Sequence, residues 1–542
     1  MRKKILFLSL LCVQFCVFIS TSSAAAQDED AWVYLTDKVD VANAIANPLT
    51  ILTQKSIDRK AKHSVAIDSR DVPVNEVYIT TLKGETGITV MAKSKWFNAV
   101  HVRGTETNIN NLTALGFVDH VDFADNSLDA KRVSEPKDKF EIENRRVLFN
   151  YGNTQNQVEM INADNLHVAD YTGTGVTVAV IDSGFENVDT MSPFSRLRNA
   201  GNLMGGYDFV DRTNDVYAST TSDHGVRVLS TMAGYVLNQF VGTAPDATYY
   251  LFRTEDAASE NPVEESYWVE AAERADSLGV DIINTSLGYK GYDNPNYSHV
   301  SADLNGNTAY ITKGANIAFD KGIMLVNSAG NSDFDGVNAP ADAAGVFTIA
   351  AVDGSGAYAW FSSIGSGTQP TPKPDVAARG EGSYVIGSNG LITQNNGTSF
   401  SSPIMAGGIA CLMQALPNKT NAEIMQLVRD SGSQSASHDF FIGYGIPDLQ
   451  AALNMTLDIP ISNGSGFNVF PNPVENILHV SFPENVEHTV LAIYDILGKQ
   501  VIEALINQDY KAINLEHLPS GIYIAKLQAD NRKTNTFKLI KE

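Results

Sequence analysis

From Tyr151 to Leu457 the chain alternates short apolar runs with amphipathic stretches, and this rhythm limits its fold more than any other feature. Val176 to Ile181, Val280 to Asn284, Ile323 to Ser328 and Val346 to Val352 are short and rich in Val and Ile, as strands buried on both faces must be. Val263 to Leu278 and Ala309 to Lys321 carry helical spacing between them. Strands of this kind, separated by helices, build a parallel sheet with helices on both faces. The predicted class is therefore α/β, and groups that do chemistry are expected at the carboxyl ends of the strands.

The flanks read differently. Arg2, Lys3 and Lys4, the apolar stretch Ile5 to Ile19 and the small residues Ala24-Ala25-Ala26 have the order of a secretory signal peptide, predicted over residues 1–26. Residues 27–146 mix strand-like runs (Ala31 to Leu35, Val77 to Leu82, Ile88 to Ala92) with a helix near Leu52 to Lys62. This predicts a separate α+β section, ending in an exposed charged linker over Asp129 to Arg146. The central section spans 147–457, and a Gly/Ser/Asn linker at 458–466 follows. Residues 467–542 switch to short alternating runs: Ile477 to Phe482, Thr489 to Tyr494, Tyr523 to Leu527 and Thr536 to Ile540. About seven such strands predict a small all-β sandwich.

A formal net charge of −23 repels phosphate backbones and excludes nucleic acid as a natural partner. Of three cysteines, Cys12 and Cys16 lie in the signal, so the exported chain has Cys411 alone and no internal disulfide. Cys411 stands in the run Ile409-Ala410-Cys411-Leu412-Met413, the setting of a buried, inert thiol.

Three stretches of the central section carry residues able to do chemistry. Val178 to Ile181 is a strand that ends in Asp182-Ser183-Gly184, placing a carboxylate at the sheet edge. Asp223-His224-Gly225 opens the helical stretch Val226 to Ala233. Asn396-Gly397-Thr398-Ser399-Phe400-Ser401-Ser402-Pro403 leads into Ile404 to Leu416, so Ser399 is expected in the first turn of a buried helix, with Pro403 in that turn too. Taken singly, each has an ordinary structural reading: a turn former, a surface histidine, a helix cap. Their order is informative. Acid, then histidine, then serine differs from the order in chymotrypsin-like enzymes and in α/β-hydrolases, and Gly-Thr-Ser-Phe-Ser is not a Gly-x-Ser-x-Gly elbow.

These motifs resemble the subtilisin family over Tyr151 to Leu453. Two further matches, Asn284-Thr285-Ser286-Leu287-Gly288 and Ser328-Ala329-Gly330-Asn331, each following a strand, add to the resemblance. It implies a serine endopeptidase in which Ser399 attacks the scissile carbonyl, His224 relays its proton and Asp182 orients His224. It implies an oxyanion donor in Asn331, and a substrate-binding edge formed by Ser286, Leu287, Gly288, Ala329 and Gly330. No cofactor is required, and a structural calcium ion is compatible with the family. Val226-Arg227 after His224-Gly225 depart from the family's usual Thr-His, which bears on local packing.

By the same kind of resemblance, residues 27–146 look like a pro-segment acting as intramolecular inhibitor, with an independent binding domain as the rival reading. The tail, with Phe470-Pro471-Asn472-Pro473, Leu497-Gly498-Lys499 and Leu518-Pro519-Ser520-Gly521-Ile522-Tyr523, resembles a type IX secretion sorting domain. That implies export across an outer membrane by the type IX machinery, to the medium or the cell surface. Protein or peptide substrates are the partners expected of the central section.

Overall fold

A computed structural model describes residues 28–125, 152–332, 334, 336–456, 468–481, 488–495, 499–507, 511–529 and 534–541. The predicted signal peptide, the Asp129 to Arg146 linker and the Ser462 to Gly466 linker lie outside the described residues. Two compact units divide between Asp448 and Leu449.

The first unit begins with a four-stranded antiparallel sheet, β1 (Asp28–Leu35), β2 (Ile88–Ser94), β3 (Ala99–Thr105) and β4 (Val118–Phe123), in the order β2-β3-β1-β4. Alternation along the strands gives each face its own job. Ala31, Val33, Val100 and Val102 bury with Ile79 and Leu82 of helix α2 (Glu76–Gly84), while Trp32 and His101 point the other way. The structure corrects the strand reading of Val77 to Leu82. Its β-branched residues suggested a strand, but Asn75 accepts the Val77 N–H, and the Thr80 and Thr81 hydroxyls donate to the carbonyls of Glu76 and Val77. Capping and the burial of Ile79 and Leu82, three residues apart, outweigh the propensity. Helix α1 (Gln54–Lys62) falls where the sequence predicted one.

Seven parallel strands form the central sheet: β5 (Thr177–Asp182), β6 (Leu203–Asp208), β7 (Thr248–Arg253), β8 (Ile282–Thr285), β9 (Met324–Ser328), β10 (Val346–Val352) and β11 (Val376–Arg379). Their order is β11-β10-β9-β8-β5-β7-β6. Helices α3 (His224–Ala233), α4 (Val263–Leu278), α5 (Tyr310–Asp320) and α6 (Thr398–Ala415) cover both faces, as adjacent residues of β8 record. The Asn284 side chain accepts from Ser402 of α6 at 2.9 Å, and the Thr285 hydroxyl accepts from the Trp268 indole N–H of α4 at 2.9 Å. Cys411 is buried in α6, and burial pushes its thiol pKa up, as an inert thiol requires.

The antiparallel sheet docks on α4 and α5. Trp32 donates to Ser266 at 2.8 Å and stacks on Tyr310 with ring centroids 4.7 Å apart. Gly279, at φ 80°, ends α4 and lies so close to α1 that a Cβ there would stand 2.6 Å from the Ser56 nitrogen. Around this point charges are buried in alternation. Arg59 and Lys60 of α1 pair with Asp276, Lys60 also meets Asp71 at 3.0 Å, and Asp71 meets Lys321 at 2.9 Å. Glu273, itself buried, accepts from Ser94 Oγ at 2.5 Å and from the Lys95 and Trp96 backbone N–H groups at 2.9 Å each.

In the second unit, helix α7 (Leu449–Thr456) precedes seven described strands, arranged as one sheet of three and one of four around Leu478, Val480, Leu491, Ile493, Leu515, Leu527 and Leu539. The all-β prediction for the tail holds.

Removing one member of a buried ion pair strands its partners, at a cost of about 3–5 kcal/mol. Lys60→Met in the full chain should lower stability by that order, read by denaturant unfolding of the Trp32, Trp96 and Trp268 fluorescence. A pH effect accompanies it. Desolvation raises the Glu273 pKa from the ordinary 4.5 to about 7, against the lowering pull of Lys95 and the Ser94 and backbone hydrogen bonds. A carboxyl raised on burial favours the docked state below about 4.5, and its contribution is lost as pH rises through about 7. Docking of residues 28–125 should therefore loosen between those values, and Glu273→Gln should flatten the dependence in hydrogen exchange of the Lys95 and Trp96 amides.

Candidate active site

Because all seven central strands run the same way, the loops that leave their carboxyl ends share one edge. Strand β5 is buried at every position and delivers Asp182 to that edge. Its Oδ1 accepts from the Ser183 N–H at 2.7 Å, from the Ser183 hydroxyl at 3.1 Å and from His224 Nδ1 at 2.8 Å. The last contact fixes the imidazole tautomer: Nδ1 carries the proton and Nε2 is left to accept one. Both side chains are almost wholly enclosed, His224 at 3% exposure and Asp182 at 0%.

His224 is the first residue of α3, and the glycine after it is a packing requirement. A Cβ on Gly225 would stand 2.4 Å from the Gly184 carbonyl oxygen and 3.0 Å from Asp182 Cβ. The departure at Val226-Arg227 has a structural account. Arg227 pairs with Asp223 one turn back at 2.7 Å and donates to Asn395 at 2.8 Å, tying the start of α3 to the strand that precedes Gly397.

Ser399 stands in the first turn of α6, partly open to solvent, and the ring of the next residue, Phe400, lies 6.1 Å from the His224 ring. Gly397, at φ 145°, turns the chain into the helix. The sequence places Pro403 in the first turn, but the helix begins at Thr398, which puts the proline in the second. A proline at that position cannot donate to the Ser399 carbonyl four residues back. The orphaned carbonyl instead accepts from the Ser286 hydroxyl at 2.8 Å, and Ser399 Oγ donates to the Ser286 carbonyl at 3.3 Å. These two bonds clamp Ser399 to the segment that follows β8.

Asn331 follows β9. Its Oδ1 accepts from the Thr398 N–H at 2.9 Å and the Thr398 hydroxyl at 2.8 Å, and the same hydroxyl accepts from the Gly330 N–H at 3.2 Å. With its oxygen held, the Asn331 amide nitrogen is presented beside Gly397, 3.5 Å from where a Cβ there would be. Ser286, Leu287 and Gly288 leave β8, and Ala329 and Gly330 leave β9, so the two segments flank Ser399. Leu287 is pinned by a 3.1 Å hydrogen bond from Asn327 to its carbonyl, and Gly330 by one of 2.9 Å from the Ser363 N–H.

All nine residues singled out in the sequence thus stand at one edge of the sheet. Sequence reasoning missed the parts played by Ser286 Oγ, Thr398 and Pro403. Pro403 inside a helical pattern was the available signal, since it announces a carbonyl that needs another donor. Among the described residues, no group of three or more His, Cys, Asp or Glu side chains could hold a metal ion.

Comparison with known proteins places the sections of the chain in families. Residues 173–445 match the subtilase family, residues 30–140 the Bacteroidota peptidase S8 propeptide domain, and residues 468–542 the secretion system C-terminal sorting domain. The chain is 31% identical over 302 residues to subtilisin NAT of Bacillus subtilis subsp. natto, covering 54% of this chain and 70% of that protein. It is also 31% identical over 302 residues to the subtilisin of Bacillus pumilus, covering 54% of this chain and 97% of that protein. A crystal structure of the epidermin leader peptide processing serine protease from Staphylococcus aureus shares the fold. Its TM-score is 0.54 at 16% identity, over 79% of this chain and 100% of that one. The chain belongs to the subtilase family of serine endopeptidases.

Proposed function

We propose that the chain cuts peptide bonds through an acyl-enzyme formed on Ser399. The observation that carries this reading is the 2.8 Å bond between Asp182 and His224 beside the helix start that holds Ser399. Ser399 Oγ attacks the scissile carbonyl as its proton passes to His224 Nε2. Asp182 holds the ring and stabilises the imidazolium. The tetrahedral oxyanion accepts from the Asn331 amide and the Ser399 backbone N–H, where the amino end of α6 favours negative charge. His224 then gives its proton to the leaving amine, and the C–N bond breaks to leave the ester. Water repeats the sequence with His224 as base and releases the acid.

Residues 28–125 act in this reading as the pro-segment and intramolecular inhibitor, supported by the propeptide match and by the buried contacts with α4. The tail acts as the address for type IX export to the medium or cell surface, supported by the sorting-domain match. Among the described residues no helix is long and apolar enough to cross a membrane.

Ser399→Ala should reduce casein hydrolysis by about 10⁶, the loss measured for the nucleophile in the relative subtilisin. Asn331→Leu should cost about 10²–10³ in kcat with KM little changed, as for the oxyanion asparagine of subtilisin. Undiminished turnover in Ser399→Ala would end the proposal.

A further inference from the structure

The residues that hold His224 and those that hold Ser399 meet at one guanidinium. Ser383–Ile386 and Ile392–Asn395 pair as an antiparallel hairpin whose second strand runs into Gly397 and helix α6. The joint is tied down. The Gly382 N–H donates to Asn396 Oδ1 at 2.8 Å, and the Gly397 N–H donates to the Gly380 carbonyl at 3.0 Å. Helix α3 is bonded to both strands of the hairpin. Ser230 Oγ accepts from the Ile386 N–H at 2.9 Å, and Arg227 Nη1 donates to Asn395 Oδ1 at 2.8 Å. The same side chain reaches back one helical turn, where its Nε donates to Asp223 Oδ1 at 2.7 Å. Asp223 directly precedes His224, and its Oδ2 accepts from the Ser388 N–H in the hairpin turn at 3.3 Å. A Cβ on Gly387 would stand 3.1 Å from Asp223 Oδ2 and 3.5 Å from Arg227 Nη2, so the pair packs against that turn.

Charge acts at the same place. Desolvation by itself would raise the Asp223 pKa, but the Arg227 hydrogen bond and charge and the Ser388 N–H hold it below the ordinary carboxylate range. An anion therefore stands next to the base in sequence. Among the described residues, the charged groups near His224 are Asp182 from β5 and Asp223 and Arg227 from α3. Helix α6 presents the Phe400 ring, and Tyr384 is the one titratable side chain on the hairpin strands.

We propose that Arg227 is a positioning residue that sets His224 against Ser399 and neutralises Asp223 beside the base. The inference rests on the reading of Ser399 and His224 given above. A guanidinium is a planar fork of donors, and here it spans two partners that belong to the two halves of the machinery. A shift of about 1 Å between base and nucleophile costs on the order of 10²-fold in rate, so the tie acts on kcat more than on substrate affinity. The second effect is electrostatic. An Asp223 carboxylate without its cation would favour imidazolium over imidazole, and less of the base would be neutral at a given pH. Arginine, where the family usually has histidine, supplies a permanent cation and the reach for both partners.

Hydrolysis of an internally quenched peptide by the active enzyme obtained from the full chain, followed across the histidine titration range, tests the proposal. Arg227→Met should lower kcat by about 10- to 100-fold with KM changed by less than about two-fold. It should also move the acid limb of kcat/KM up by about half a pH unit. Arg227→Lys keeps the cation but lacks the fork, so it should leave the acid limb in place and still lose kcat. Asp223→Asn combined with Arg227→Met should return the limb to its wild-type position without restoring kcat. If Arg227→Met does not fold, Arg227→Lys and Asn395→Ala carry the test, and both should lose kcat with an unmoved limb. Wild-type kcat in Arg227→Lys and Asn395→Ala would overturn the positioning role. An acid limb that stays put in Arg227→Met, or moves as far in Arg227→Lys, would overturn the neutralising one. Turnover that survives Ser399→Ala would refute the nucleophile assignment, whereas Ser399-dependent turnover indifferent to Arg227 refutes only the role of Arg227.

Discussion

Parallel strands impose the constraint on which the site depends. A chain that must cross over a sheet between successive strands brings all their carboxyl ends to one edge, and residues far apart in sequence meet there without further design. Asp182 leaves β5, Ser286 leaves β8 and Asn331 leaves β9, three strands that lie in sheet order with β8 between the other two. Helix α6 packs along the same face as α3, so Ser399 and His224 enter this edge from the helical layer.

Within that frame, small local necessities hold the groups in place. Pro403 removes one helical hydrogen bond, and the freed Ser399 carbonyl recruits the Ser286 hydroxyl. Thr398 consumes the acceptor capacity of Asn331 and so determines which end of that amide remains available. Gly225 permits the His224 helix to approach the strand that bears Asp182. None of these residues need take part in bond making. They hold Asp182, His224, Ser399 and Asn331 in place, the preorganisation on which the proposed mechanism rests.

The contact between residues 28–125 and helix α4 has another character. It joins a stacked Trp32–Tyr310 pair to buried charges that alternate through Arg59, Lys60, Asp276, Asp71 and Lys321. Burying ions yields little net stability because desolvation consumes most of the attraction, but misplacing one is severely penalised. An interface built this way fixes register more than it adds affinity.

The sequence by itself determined the parallel sheet, the helices that cover it, the all-β tail, and the nine candidate residues, seven at or just after strand ends and two at helix starts. Each of these rests on periodicity or on motifs read within a few residues. Val77 to Leu82 shows the limit of such reading: propensity favoured a strand, and the Asn75 cap with the burial of Ile79 and Leu82 made a helix. Only the tertiary structure decided that Glu273 receives the Ser94 to Trp96 loop, and that Ser286 takes over the bond Pro403 cannot make. These are contacts between segments tens to hundreds of residues apart. Chain order carries no record of them, because they arise from how layers stack and not from any local pattern.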